Sequence, residues 1–248
     1  YVASCLLMGG ITVYQEIRTC TKYIAVATGL LVLWMFSGGS FSTYYLLWNL
    51  LLAWLPMIFA LLFLRHGHLQ ATGRPKLWGY GFGVLWLFFS PNALYLITDF
   101  IHLSQEVFYG QHPSFQPYGQ DPRTLYYMDL LPWHNFFSIT FAVILGLGLF
   151  VLSLYIVHDH VVKALGKKWG WIFVGIFQFL SGYALYIGRF LRVNSWDVFL
   201  RPWTLLQSLI QEFGPKTLYF TGLFALIGFL VYGLFQGALY LGEERRKL

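Results

Sequence analysis

Residues 130–157 read LLPWHNFFSITFAVILGLGLFVLSLYIV, a run without a single Asp, Glu, Lys or Arg. A helix needs about 20 apolar residues to cross ~30 Å of hydrocarbon, so this stretch predicts a membrane span. Five more stretches, 22–38, 43–64, 77–98, 169–191 and 217–241, reach or approach the same length. A seventh candidate, 1–14, is too short by itself and is read as the end of a span that starts before Tyr1. The expected fold is an all-α polytopic transmembrane helix bundle, six core spans plus that truncated N-terminal seventh. The expected organisation is a partial span and cytoplasmic turn over 1–21, the bundle over 22–241 and a basic tail over 242–248.

Composition agrees. Of 248 residues, 58% are hydrophobic and 10% are Asp, Glu, Lys or Arg. Soluble domains carry about 25% charged residues, so the chain lacks the charge to cover a water-facing surface. A soluble globule, a disordered tail and a nucleic-acid-binding domain are excluded, and membrane lipids are the expected surroundings. Cys5 and Cys20 are too few for a disulfide framework.

The net charge of +6 is explained by placement. Eleven of the sixteen Lys and Arg fall in segments 15–22, 65–76, 158–168 and 242–248. Lys and Arg are retained preferentially in the cytoplasm, so the C-terminus is expected to be cytoplasmic and the loops 99–129 and 192–216 exoplasmic. Within the first loop, 110–123 is rich in turn formers. Residues 203–213 are too short and polar to span and read as an amphipathic helix at the exoplasmic interface. His66, His68, His158 and His160 sit in the basic turns and are expected to be solvated. Gly79-x-x-x-Gly83 and Gly233-x-x-x-Gly237 present small-residue faces for helix contacts.

Hydrocarbon offers polar side chains no partner, so those inside the spans are informative. At 100° per residue Asn92, Tyr95, Asp99 and His102 share an arc of about 80°, beside a kink expected at Pro91. Gln178, Ser181, Gly182, Leu185, Arg189, Arg192 and Trp196 form a second stripe. Two arginines at an exoplasmic end run against the positive-inside bias and call for an acid or a bound anion. Asn194 and Asp197 suit a helix start, and Asp129 enters the span that carries His134 more than a turn deeper. All these groups end at one membrane level and suggest a shared polar pocket. Asp99, His102 and Asp129 are its candidate catalytic residues. Asn92, Arg189, Arg192, Asn194 and Asp197 are its candidate binding residues. A metal, if one binds, would take Asp99, His102, Asp129 and His134. No Walker A, Gly-x-Ser-x-Gly or His-Glu-x-x-His motif is present, and no cofactor is implied.

Four motifs occur in order: Trp48-Asn49-x-x-x-Ala53-Trp54-x-Pro56, Ser90-Pro91-Asn92-Ala-Leu-Tyr95 running on to Asp99 and His102, Tyr127-Met-Asp129, and Gly188-Arg189-x-x-Arg192-x-Asn194-Ser195-Trp196-Asp197. With them the chain resembles the DUF1361 family of bacterial multi-spanning membrane proteins, over roughly 25–240. The resemblance implies a six-span core and a set of polar motifs rather than an activity. The family pattern Phe-Pro-Asn-Ala-Pro is altered, with Ser90 and Leu94 in the flanking places.

Two functions are consistent with these residues. One is an integral membrane protein of a bacterial inner or thylakoid-type membrane whose exoplasmic pocket binds or processes an anionic or polar lipid headgroup. The other is a non-catalytic subunit of a larger membrane assembly, respiratory or photosynthetic, in which the polar cluster locks helices together.

Overall fold

The computed structural model describes residues 2–38, 43–68, 77–120, 122–193 and 196–245. In chain order it runs α1 (Val2–Ser37), α2 (Tyr45–His68), α3 (Leu77–Phe89), α4 (Pro91–Tyr95), a 3₁₀ helix (Leu96–Gln105), β1 (Tyr109–Gln111), β2 (Thr124–Tyr126), α5 (Leu130–Leu165), α6 (Lys167–Tyr186), a π-helical turn (Ile187–Leu191), α7 (Asp197–Leu200), α8 (Pro202–Gln211) and α9 (Pro215–Arg245). Among the described residues six segments are long and apolar enough to cross a membrane: Gln15–Ser37, Tyr45–His66, Gly79–Gln105, Leu130–Leu165, Lys167–Leu191 and Pro215–Gly242. The chain is an all-α, multi-pass membrane protein. α5 is its most enclosed span and α1 its least.

Three features depart from the sequence reading. Residues 15–22 are not a turn but lie within the continuous helix α1. Gln15, Glu16, Arg18 and Lys22 are good helix formers with no breaker among them, and the Thr19 and Thr21 hydroxyls donate to the carbonyls of Gln15 and Ile17. His158 is not solvated: α5 runs on past it, and the ring is buried. Gly110 and Gln111, read as the start of a loop, instead belong to a small antiparallel hairpin, with Tyr109 paired to Tyr126, Gly110 to Leu125 and Gln111 to Thr124. Residues 203–213 do contain a short helix, α8. The basic residues Arg74, Lys76, Arg246 and Lys247 lie outside the described residues, as does the side chain of His68.

The contacts divide the chain into two compact units. The first comprises Tyr1–Trp48 and Leu96–Leu145. Its core includes Met35, Leu46, Ile139 and Ala142. Here α1 meets the start of α5 through a clasp. The Trp34 indole N–H donates to Ser138 Oγ (3.1 Å), His134 Nε2 bonds the Trp34 carbonyl (3.1 Å), and the two rings stack at 4.8 Å. A Cβ at Gly38 would overlap the His134 imidazole. The hairpin base is held by Phe108 against Trp133 and Phe136.

The second unit comprises Asn49–Tyr95 and Gly146–Leu248. Its core stacks Trp86 on Phe177 at 4.8 Å, with Met57, Leu149 and Phe150 buried. Aromatic pairs of this kind add ~0.5–1.5 kcal/mol beyond area burial. Between α3 and α4, Pro91 lacks the N–H that would bond the Leu87 carbonyl. The Ser90 hydroxyl donates to that carbonyl instead (3.2 Å), and the Asn92 amide to the Phe89 carbonyl (3.0 Å). Ser90 therefore supplies the bond that the proline removes. α6 and α9 pack closely, with Gly182 set directly against the α9 backbone.

Candidate functional site

The residues singled out by the sequence fall into two clusters, one in each unit. In the first unit the segment after Tyr95 winds as a ten-residue 3₁₀ helix rather than an α-helix. Runs longer than 3–4 residues are uncommon and mark strain or function. With three residues per turn, Asp99 and His102 eclipse each other instead of being offset. His102 Nε2 lies 4.0 Å from Asp99 Oδ1. The carboxylate is fully buried, while the His102 side chain is 38% exposed. The Tyr45 ring lies against the imidazole, with centroids 4.5 Å apart. A buried acid thus sits behind a histidine that reaches the surface, and an aromatic ring fixes the histidine plane. That arrangement suits proton transfer by the imidazole, with the carboxylate orienting it and stabilising its charged form.

The same segment carries Glu106, which accepts a hydrogen bond of 2.6 Å from the buried Asn135 amide of α5. This bond ties the end of the 3₁₀ helix to the start of α5. Neither residue was a candidate from sequence. The available signal was an Asn one position after His134 in an otherwise apolar run. His134 itself is committed to the clasp with Trp34. Asp129 is exposed, just ahead of α5. Among the described residues no three His, Cys, Asp or Glu side chains come together as a metal-holding group.

In the second unit Arg189 is half-buried and donates to Tyr95 Oη at 3.2 Å, with its guanidinium carbon 5.7 Å from the Tyr95 ring centroid. A cation over an aromatic face is worth ~0.5–2 kcal/mol. Arg189 lies in the π turn, and Arg192 follows with φ 55° in the left-handed region. The extra backbone per turn breaks the 100° phase. Arg192 consequently does not continue the buried stripe of Gln178, Ser181 and Leu185, and its side chain is exposed. Asp197 opens α7 and is half-buried. Asn194 lies outside the described residues.

With the geometry in place, comparison adds one finding. The family described as "Protein of unknown function (DUF1361)" matches residues 48–231. This stretch begins in α2 and ends in α9, and it includes both clusters. No curated protein and no solved structure matches the chain.

Proposed function

We propose that this chain, which belongs to the DUF1361 family, binds or processes an anionic or polar lipid headgroup at the exoplasmic face of a bacterial inner or thylakoid-type membrane. The observation that carries the reading is the Asp99–His102 pair: a fully buried carboxylate 4.0 Å from a half-exposed imidazole at the end of a span. Ionisable groups at membrane depth are costly and usually functional. His102 is the acid–base group and Asp99 its orienting partner. Arg189, steadied by Tyr95, is an anion-binding group in the other unit. Exposed Asp129 and Arg192 are free to meet headgroups from the water side. Asn92 supports the local backbone through its bond to the Phe89 carbonyl, and half-buried Asp197 is a further binding group.

The test is headgroup retention in nanodiscs of mixed phosphatidylcholine and phosphatidylglycerol. The expected result is preferential retention of the anionic lipid, weakened about tenfold by His102→Ala, the size of one lost charge-assisted contact. Equal retention of both lipids by the wild-type protein and by His102→Ala would sink the reading.

Orientation supports the same assignment, because eleven of sixteen basic residues fall on the side away from His102 if every span crosses. In a chain whose Cys5 and Cys20 are replaced by Ala, single cysteines at Gln70, Leu165 and Arg246 should resist a membrane-impermeant thiol reagent in intact cells. A cysteine at Gln116 should react. The reverse labelling pattern would move the headgroup site to the cytoplasm.

The non-catalytic subunit reading has its own observation. The outer face of α9 is exposed, and a Cβ added at Gly222, Gly233 or Gly237 would meet open space. Small-residue faces of this kind suit a neighbouring helix. Co-purification of a fixed set of subunits from native membranes would favour that reading.

A further inference from the structure

The β1–β2 hairpin has two unlike faces, because successive residues of a strand point to opposite sides. Phe108 and Tyr127 are half-buried. Phe108 lies against Trp133 and Phe136 of α5, and the Trp133 indole N–H donates to the Tyr127 carbonyl (3.0 Å). The residues that alternate with these two are Val107, Tyr109, Tyr126 and Met128, and their exposure runs from 60% at Val107 to 88% at Met128. Tyr109 and Tyr126 are directly paired, with ring centroids 6.2 Å apart. One face of the hairpin is thus seated on α5, and the other is apolar, carries two phenol hydroxyls and is open.

The open face continues onto a membrane span. Leu130, Trp133, Phe137, Phe141 and Ile144 of α5 are all exposed, and at 100° per residue they fall within an arc of about 80°. An exposed apolar stripe along a span is the part that meets lipid tails. Its first turn carries Trp133, the residue on which the hairpin base rests. The arms are also short. Tyr109 stands four residues after the span that ends at Gln105, and Tyr126 four residues before the span that starts at Leu130. Neither backbone position can lie more than ~14 Å from a span end.

Charge and backbone fix the depth. Residues 107–111 and 124–128 hold no Asp, Glu, Lys or Arg, whereas the tip, 112–123, holds His112, Asp121 and Arg123. The tip therefore belongs in water and the arms do not require it. The hydrocarbon core is excluded for the arms, because the open edges of a two-stranded sheet present N–H and C=O groups that lipid tails cannot satisfy. The headgroup layer satisfies both demands. Tyrosine concentrates there, with its ring toward the tails and its hydroxyl toward water. A hairpin with so few paired residues is also marginal in water by itself, so a second supporting surface has a structural use.

We propose that the hairpin arms lie in the lipid headgroup layer, with the face formed by Val107, Tyr109, Tyr126 and Met128 against lipid and the tip standing in water. The partner is the bilayer surface itself. Because the arms are uncharged, the contact does not select anionic lipid. It is independent of the Asp99–His102 chemistry and of the headgroup selectivity proposed above.

The experiment uses the full chain in phosphatidylcholine nanodiscs, with Cys5 and Cys20 replaced by Ala and a bimane fluorophore on a single cysteine at Tyr126, Met128 or Gln116. All three positions are exposed, so the label disturbs no core. A phosphatidylcholine with a nitroxide on its headgroup should quench the labels at Tyr126 and Met128, and aqueous iodide should leave them bright. The label at Gln116 should show the reverse. Adding phosphatidylglycerol should leave the quenching by the nitroxide lipid unchanged, whichever way the headgroup-retention test comes out. Iodide quenching at all three positions would put the arms in water and overturn the proposal. Labels at Tyr126 and Met128 that neither quencher reaches would mean that protein, a second copy included, covers the face, which also overturns it. So does quenching by the nitroxide lipid that appears only with phosphatidylglycerol, since the contact would then be electrostatic.

Discussion

Gly182→Leu should lower the melting midpoint of the detergent-solubilised protein by about 6–12 °C, the shift given by a loss of roughly 3 kcal/mol in a chain of this size. A Cβ at this position would overlap the Thr221 carbonyl oxygen and come within 2.9 Å of the Ala225 amide nitrogen. Both are backbone atoms of α9, so no rotamer change relieves the clash. α9 must move as a body, which unpacks its contact with α6. Overpacking a core costs typically ~1–3 kcal/mol, and a backbone neighbour puts this case at the upper end. Gly233→Leu is the control, because nothing lies within 4 Å of its added Cβ. It should melt within about 2 °C of wild type, since an exposed change away from contacts is worth at most ~0.5 kcal/mol. Equal midpoints for the two variants would contradict the close α6–α9 approach.

His102→Ala should destabilise more than Asp99→Asn, although Asp99 is the more deeply buried of the two. Removing the imidazole leaves a carboxylate enclosed by protein. Breaking a fully buried pair costs ~3–5 kcal/mol. The 38% exposure of His102 admits water and lowers the expectation to about 2 kcal/mol. Asp99→Asn keeps the shape and one acceptor oxygen, turns the other into an NH2 donor and removes the charge, for about 1 kcal/mol. The double variant should recover ~1 kcal/mol relative to the sum, as contacting residues do. Thermal melts of the four proteins in one detergent measure this coupling. Strict additivity would mean that the pair does not interact, and the headgroup reading would lose its central observation.

What the sequence made legible follows from physical scale. Spans were readable because twenty apolar residues carry a strong signal, and each of the six structural spans contains most of the stretch assigned to it. Asp99 and His102 were placed together correctly, because i, i+3 neighbours are close in either an α- or a 3₁₀-helix. Arg192 was placed on the buried stripe because a constant 100° per residue was assumed, and the π turn at Ile187–Leu191 breaks that phase. His158 was assigned to water because a basic turn surrounds it in sequence, whereas its burial depends on Tyr232, seventy-four residues away. Glu106 and Asn135 failed for the same reason: a hydrogen bond across 29 residues leaves no periodic trace. The continuity of α1 through residues 15–22 turned on weighing helix-forming Gln, Glu, Arg and Lys above their charge.

The winding of Leu96–Gln105 sets a length as well as a phase. Ten residues extend ~20 Å at the 3₁₀ rise of about 2.0 Å, against ~15 Å at the α-helical rise. Rewinding this segment as an α-helix would shorten it by about 5 Å and swing His102 roughly 60° from Asp99 about the helix axis. The segment is therefore a ruler with two settings, and the acid and the imidazole are eclipsed along the helix axis only at the longer one.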